Sequence, residues 1–294
     1  MKIKHIHFII NPASGKEEPI LSYINRAMTE RKLDWDISVT KKNNNAGELA
    51  RKLFGRTDLI AVYGGDGCVT EVAAALQGSN LPMAIIPGGT ANVMAREFGV
   101  SLDPLEALRA LPDGKIKKVD MGNVNGMPFL LRVNLGIMAD MVTGADRELK
   151  NKVGQLAYGV TAVKTAVTAE PVNYELNIDG EKVSAKGVSL TITNSGHMGV
   201  GDFALQPGIS IFDGKLDIIL LKENNLSSLL KIAGTTLLQQ KSNVLEHWTA
   251  KKMTISMAKK QSFICDDKEM KAKQLKITII PASLKMLIPK EKAE

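Results

Sequence analysis

The sequence predicts an α/β protein in two unlike parts. The first is a three-layer α/β/α domain over residues 1–120. The second is a β-rich sandwich with a helical insertion over 121–294, whose last residues are free to rejoin the first domain. Three observations carry this. Apolar extended runs alternate with helical patterns as far as residue 118, strand-like runs dominate from Val119, and 294 residues suit two domains at roughly 150 each.

In order, His5–Ile10 reads as a strand, Ile20–Arg31 as an amphipathic helix, Asp36–Val39 as a strand and Ala46–Leu53 as a helix. Leu59–Tyr63 is an apolar strand that runs into a glycine turn, Val69–Leu76 is helical, and Met83–Ile86 is a buried strand ending at Pro87. Strands separated by helices pair in parallel, and such sheets carry their ligand loops beyond the carboxyl ends of the strands. The second part offers strands at Phe129–Leu135, Asn173–Ile178, Val188–Asn194, Leu216–Leu221, Lys252–Met257, Gln261–Cys265 and Leu275–Ile280. Asp179-Gly180 is a hairpin signal. Helices are expected near Gly154–Ala169 and Leu226–Gln239.

Composition narrows the class. Hydrophobic residues are 44% and charged residues 23%, which suits a globular chain and excludes a disordered or collagenous one. Two cysteines, Cys68 and Cys265, make no disulfide framework, so a reducing compartment is expected. The N-terminal MKIKHIHFII lacks a cleavage site, and no apolar stretch reaches the roughly 18–20 residues that span a bilayer. The expectation is a cytoplasmic protein whose contact with lipid is peripheral. The net charge of +7 is uneven: residues 222–294 hold 14 basic and 7 acidic side chains, while the preceding chain is neutral. A positive face there suits an anionic partner or a plain solvated surface. With aromatics at 4% and no recognised motif, nucleic acid is not expected as that partner.

Three loops carry chemistry. Asn11-Pro12-Ala13-Ser14-Gly15-Lys16 follows the first strand and precedes a helix, so small residues and free helix N–H groups meet where a phosphate would sit, with Lys16 adding a charge. Gly64-Gly65-Asp66-Gly67-Cys68 places a lone acid inside a glycine turn. An acid beside a phosphate site calls for a bridging divalent metal. Glu71 follows one turn later, facing the loop if the helix starts at Cys68. Pro87-Gly88-Gly89-Thr90-Ala91-Asn92 offers a hydroxyl and an amide at a third strand end.

These loops together resemble the catalytic domain of the diacylglycerol kinase family, which includes sphingosine kinases, the soluble bacterial lipid kinases and, more distantly, NAD kinases. Asp120-Met121-Gly122, Asn134-Leu135-Gly136, Gly154-x-x-Ala157-Tyr158, Asp213-Gly214-x-Leu216-Asp217 and Pro281-Ala282-x-Leu284 continue the resemblance in the family's order. It implies a kinase that binds ATP and Mg²⁺ in an interdomain cleft and phosphorylates a lipid hydroxyl. Asn11, Pro12, Ser14, Gly15, Lys16, Thr40, Gly64, Gly65, Asp66, Gly67, Glu71, Gly89, Thr90 and Asn92 would surround the nucleotide, and Asp66 would help to hold the catalytic magnesium. Asp213, with main-chain oxygens of Ser210 and Lys215, resembles a second, structural magnesium site; an ordinary Asp-Gly turn is the alternative.

Two departures matter. Cys68 stands where the family usually has Thr, so a hydroxyl becomes a weakly donating thiol. Near the C-terminus the family's Asp-Gly-Glu, whose acids include the base, is replaced by Cys265-Asp266-Asp267-Lys268-Glu269. Counting back from Pro281 aligns Asp266 with the family's Asp and Lys268 with its Glu, whereas a one-residue slide gives Asp267-Lys268-Glu269. Asp266 and Glu269 therefore compete as the general base. The expected activity is phosphoryl transfer from ATP to a diacylglycerol-like lipid alcohol. A soluble acceptor such as NAD, or an ATP-binding relative without catalysis, are the alternatives. The expected partners are that lipid alcohol and an anionic membrane surface, and a homodimer is compatible with the sequence.

Overall fold

The computed structural model describes residues 3–15, 18–136, 171–197, 208–222 and 245–290. Lys16, the Gly154-x-x-Ala157-Tyr158 motif and the two helices expected near Gly154–Ala169 and Leu226–Gln239 lie outside the described residues. The chain divides into two compact units: Met1–Met121, His197–Ala204 and Pro281–Glu294 form one, and Gly122–Gly196 with Leu205–Ile280 form the other.

The first unit is built on four parallel strands in the order β2 (Asp34–Val39), β1 (His5–Ile10), β3 (Leu59–Gly64), β4 (Met83–Pro87). β1, β3 and β4 are apolar because the central strands of a parallel sheet are covered on both faces. Helices α1 (Ile20–Arg31) and α5 (Pro104–Ala110) pack together, as do α2 (Ala46–Arg51) and α3 (Asp66–Leu76). That pairing yields the predicted three layers. α1 buries Ile24, Ala27 and Met28, at the spacing that puts them on one face, and stops at Lys32, which turns left-handed (φ 53°). α2 and α5 begin where Asn45 and Asp103 accept the N–H groups of Glu48 and Glu106 at 2.9 Å. A fifth helix, α4 (Val93–Glu97), follows β4.

The chain end returns to this unit. Met286 pairs in parallel with Met83, Gly78 donates to the Ser283 carbonyl at 2.6 Å, and Ala282 N–H donates to the buried Asp120 carboxylate at 2.7 Å.

The second unit is an antiparallel sandwich. Two long strands, β13 (Lys252–Cys265) and β14 (Lys268–Ile288), run through both of its layers. The first half of β13 pairs with β8 (Val172–Ile178), which forms a hairpin with β9 (Glu181–Gly187) through Asp179-Gly180, both at positive φ. Its second half pairs with β7 (Arg132–Gly136), followed by β10 (Ser189–Thr193), β11 (Leu216–Leu221) and β12 (Leu245–Ala250). Between the halves the register shifts: Ser256 faces Gln274, yet Gln261 faces Ala272. This bulge bends the strand from one layer to the other. It also merges the expected strands Lys252–Met257 and Gln261–Cys265 into one. The core between the layers holds Val133, Leu135, Tyr174, Leu190, Ile192, Ile218 and Phe263, among others.

Other expectations need correction. The expected strand Phe129–Leu135 is interrupted after β6 (Met127–Phe129), because residues 130–132 turn their N–H groups onto a side chain described below. β5 (Lys115–Val124), β9 and β12 are strands that the apolar pattern understates, since each carries lysines or other polar residues. Finally, α3 starts at Asp66, three residues earlier than expected.

Candidate functional site

The three loops at the carboxyl ends of β1, β3 and β4 interlock through their backbones. Asn11 N–H donates to the Tyr63 carbonyl at 3.0 Å, Gly15 N–H to the Gly88 carbonyl at 2.5 Å, and Gly88 N–H to the Gly64 carbonyl at 3.0 Å. Within the first loop the Asn11 carboxamide accepts from Ala13 N–H at 3.0 Å and from the Thr40 hydroxyl at 3.4 Å, which ties the end of β2 to the loop. Gly15 sits at φ 96°, which favours glycine there. Pro12 and Thr90 are exposed, and Ser14 is half-buried.

Gly65 is the N-cap of α3 and brings no capping side chain, so the first turn of this helix presents backbone N–H groups and the positive end of its dipole. Asp66 is the first helical residue. One of its oxygens accepts the Met94 N–H at 3.2 Å, which caps α4 and links the second loop to the third. Asn92, in the left-handed region at φ 48°, closes the third loop on itself: its amide accepts from Gly89 N–H at 2.8 Å and donates to the Gly89 carbonyl at 2.7 Å. The Asn92 side chain therefore shapes the loop, with one of its two N–H donors spent on the Gly89 carbonyl. The Thr90 hydroxyl remains available.

Glu71 has a structural task of its own. Because α3 starts at Asp66, Glu71 lies roughly 140° around the helix from that acid. Its carboxylate accepts the Ala46 N–H at 3.0 Å, capping α2.

Reading the sequence missed Tyr63, and it placed Asp120 only within the Asp120-Met121-Gly122 resemblance. Tyr63, at the end of β3, donates its hydroxyl to Glu18 at 2.9 Å and backs onto Gly15 and Gly88. Burial, with Glu18 beside it, pushes that hydroxyl up to about 12. Asp120 anchors Ala282, whose φ of 51° marks a turn in β14. A tyrosine inside an apolar strand carries no local signal, and the Asp120 motif does not say which residue its carboxylate holds.

Gly89 and Gly65 touch back to back: a Cβ on Gly89 would lie 2.5 Å from the Gly65 Cα. Gly89→Ala must therefore push two backbones apart. It is expected to cost about 1–3 kcal/mol and to weaken nucleotide binding, read by thermal unfolding and by titration with ATP. Unchanged values for both would show that the loops tolerate separation.

The donor set at Asp66 fits a divalent cation shared with a ligand. Among the described residues no three His, Cys, Asp or Glu side chains cluster around a metal. Magnesium is commonly held by one or two carboxylates together with substrate phosphates and water, which is what Asp66 beside an N-terminal helix turn provides. At the other proposed metal position, Asp213 accepts the Lys215 N–H at 3.0 Å and the Ser210 hydroxyl accepts the Phe212 N–H at 3.3 Å. That is a side-chain-capped Asp-Gly turn, with one Asp213 oxygen spent on the turn.

The second unit holds the two competing acids. Asp266 occupies a two-residue turn between β13 and β14 at φ 53°. Its carboxylate accepts three backbone N–H groups: Leu130 at 3.0 Å, Leu131 at 2.9 Å and Arg132 at 3.0 Å. Burial pushes this carboxyl up to about 6 against the pull of those three donors. Glu269 is exposed. Register places it opposite Ile264, which faces Asn134, on the side of the sheet away from the core. Lys268 pairs with Cys265, whose side chain lies on the core side. Pairing thus sets Glu269 and Lys268 on opposite faces of the sheet.

Parallel strands ending in three interlocked glycine loops, with a bare helix N-terminus and one acid, are an arrangement that phosphate-binding α/β domains use, here in a chain that also carries a β-sandwich. Residues 5–124 match the diacylglycerol kinase catalytic domain, and residues 132–288 match the YegS C-terminal NAD kinase beta sandwich-like domain. The chain belongs to the diacylglycerol kinase catalytic-domain family. It is 28% identical over 306 residues to a diacylglycerol kinase of Bacillus subtilis, with 99% of each chain covered. It is also 28% identical over 312 residues to an uncharacterised Synechocystis protein, covering 99% of this chain and 71% of that one. A crystal structure from Bacillus anthracis, assigned to the diacylglycerol kinases, superposes with a TM-score of 0.85 at 26% identity, over 98% of both chains.

Proposed function

We propose that the protein transfers the γ-phosphoryl group of ATP to the hydroxyl of a diacylglycerol-like lipid. The observation that carries this is the interlocked trio of loops around the N-terminus of α3, with Asp66 inside it. Backbone N–H groups of that turn would bind phosphate oxygens, and the Thr40 and Thr90 hydroxyls would fix the nucleotide's position. A magnesium ion held by Asp66 and the phosphates would neutralise charge as the transfer proceeds.

Glu269 is the better base. It is exposed, whereas both oxygens of Asp266 are spent on backbone N–H groups. In the transfer, the acceptor O–H proton passes to the Glu269 carboxylate, the acceptor oxygen bonds to the γ-phosphorus, and the bond from that phosphorus to the bridging oxygen breaks to release ADP. The test is radiolabelled ATP with magnesium, offered dioleoylglycerol and NAD in parallel. Labelled phosphatidic acid is the expected product. Label in NADP instead would favour the soluble-acceptor alternative, which the NAD kinase-like sandwich keeps in view.

Among the described residues no helix is long and apolar enough to cross a membrane. Contact with an anionic bilayer is part of the proposal, and the β13 bulge is where it would fall. Residues 257–260 loop out opposite Lys273. Lys259, Lys260, Lys271 and Lys273 are exposed there, and none of the four forms an ion pair. At about 1 kcal/mol per lysine near an anionic surface, replacing all four with alanine should weaken binding to phosphatidylserine vesicles at least 100-fold. Wild-type binding should fade as salt rises, and salt-independent binding would contradict the proposal.

A further inference from the structure

The six-strand layer of the sandwich has one apolar face and one polar face. Val133, Leu135, Leu190, Ile192, Ile218 and Phe263 point into the core, so the residues between them point the other way. One cross-strand row on that second face runs Glu269, Ile264, Asn134, Thr191 across β14, β13, β7 and β10. A sheet face turned away from the core is ordinarily wet, yet Asn134 is only 3% exposed and Thr191 only 4%. Burying an asparagine is costly unless its hydrogen-bonding groups are used.

Half of them are. The Thr191 hydroxyl donates to Asn134 Oδ1 at 3.0 Å, which fixes the orientation of the amide. Among the described residues nothing accepts from Asn134 Nδ2, so a nearly buried residue keeps two N–H donors oriented and unspent. Two strand spacings, roughly 10 Å, separate Asn134 from Glu269 along the row. Of the charged groups on this face, Asp217, His247 and Arg132 are engaged, whereas Glu269 and Lys271 on β14 are exposed. His247 Nε2 lies 2.7 Å from Asp217, and Arg132 has a partner of its own. Uncharged amide donors beside the engaged Arg132, and two strands from the Glu269 carboxylate, suit a neutral oxygen, such as an ester carbonyl, better than a phosphate.

We infer that Asn134 is an acceptor-binding residue: its amide N–H groups, aimed by Thr191, hold a neutral oxygen of the glycerol ester whose free hydroxyl is presented to Glu269. This rests on the lipid-kinase reading for the role of Glu269, and not for the binding itself.

The test uses the full chain and 1,2-dioctanoylglycerol as probe. Asn134→Asp keeps the oxygen that accepts from Thr191 and removes both donors; Thr191→Val keeps the donors and frees their orientation. Thermal shift by the probe should be clear for the wild type and nearly lost in Asn134→Asp. In turnover, the KM for dioctanoylglycerol should rise about tenfold for Asn134→Asp and severalfold for Thr191→Val, with the KM for ATP unchanged. A merely structural Asn134 would lower the unfolding temperature without separating the two KM values, and that result overturns the inference. So does an equal probe shift in wild type and Asn134→Asp, or no shift in the wild type. A wild-type shift that Asn134→Asp abolishes, in a protein without turnover, upholds the inference and defeats the kinase reading.

Discussion

Asp66→Ala is expected to lower turnover about a thousandfold while the chain stays folded. The side chain does two jobs of very different size. As the cap on the Met94 N–H it contributes about 1 kcal/mol to stability, because one amide of α4 loses its acceptor. As the single acid among the phosphate-binding loops it would hold the metal that offsets charge on the transferring phosphoryl group, a contribution of several kcal/mol to the barrier. Asp66→Asn separates the two, since the amide oxygen still accepts from Met94 while the negative charge is gone. Both variants should fall together in rate, measured with labelled ATP, and differ in unfolding temperature. An alanine variant that turns over near the wild-type rate would remove the metal role.

The acids of the 266–269 segment should respond in opposite ways. Asp266→Asn is expected to destabilise the protein by about 2–4 kcal/mol, because an NH₂ group replaces one of two oxygens that together accept three N–H groups. The loss should appear as roughly 5–10 °C in unfolding temperature. Asparagine tolerates the left-handed backbone at this position, so the effect reports on the carboxylate. Glu269→Gln should instead leave stability within about 0.5 kcal/mol and cut turnover by about 10²–10⁴-fold, the usual contribution of a general base. If Asp266→Asn lost activity at unchanged stability, the two assignments would be reversed.

Asp266 also leaves a signature in pH. Its ordinary value is 3.8 and burial raises it to about 6 in the folded state. Between those values the unfolded chain has released a proton that the folded chain retains. The contribution of this group to stability is therefore full below about pH 4, declines as pH rises through about 6, and is flat beyond. The difference between wild type and Asp266→Asn, followed by denaturant unfolding from pH 4 to 8, should show that slope. A difference constant with pH would exclude it.

The nucleotide half was legible because its signals are local. A buried strand followed by Gly64-Gly65-Asp66-Gly67, or by Pro87-Gly88-Gly89, commits the backbone to a turn within a few residues, and alternation of strands with helices implies a parallel sheet. The limit of that reading appears at Glu71. Its facing the loop supposes a helix that starts at Cys68; α3 starts two residues earlier and the side chain reaches Ala46, and helix starts depend on tertiary contacts such as that between Asp66 and Met94.

The acceptor half was legible as β-rich and little more. Whether Asp266 or Glu269 faces a substrate depends on which strand lies beside which and in what register. A shift of one residue moves every side chain to the opposite face. The sequence by itself determined the class of fold, the three glycine loops and the lone Asp66, because turn chemistry and strand periodicity are written in adjacent residues. Only the tertiary structure decided that Asp266 holds residues 130–132, that Glu269 stands free, and that Thr191 orients the Asn134 amide. Those relations join residues more than 50 positions apart, and nothing local encodes them.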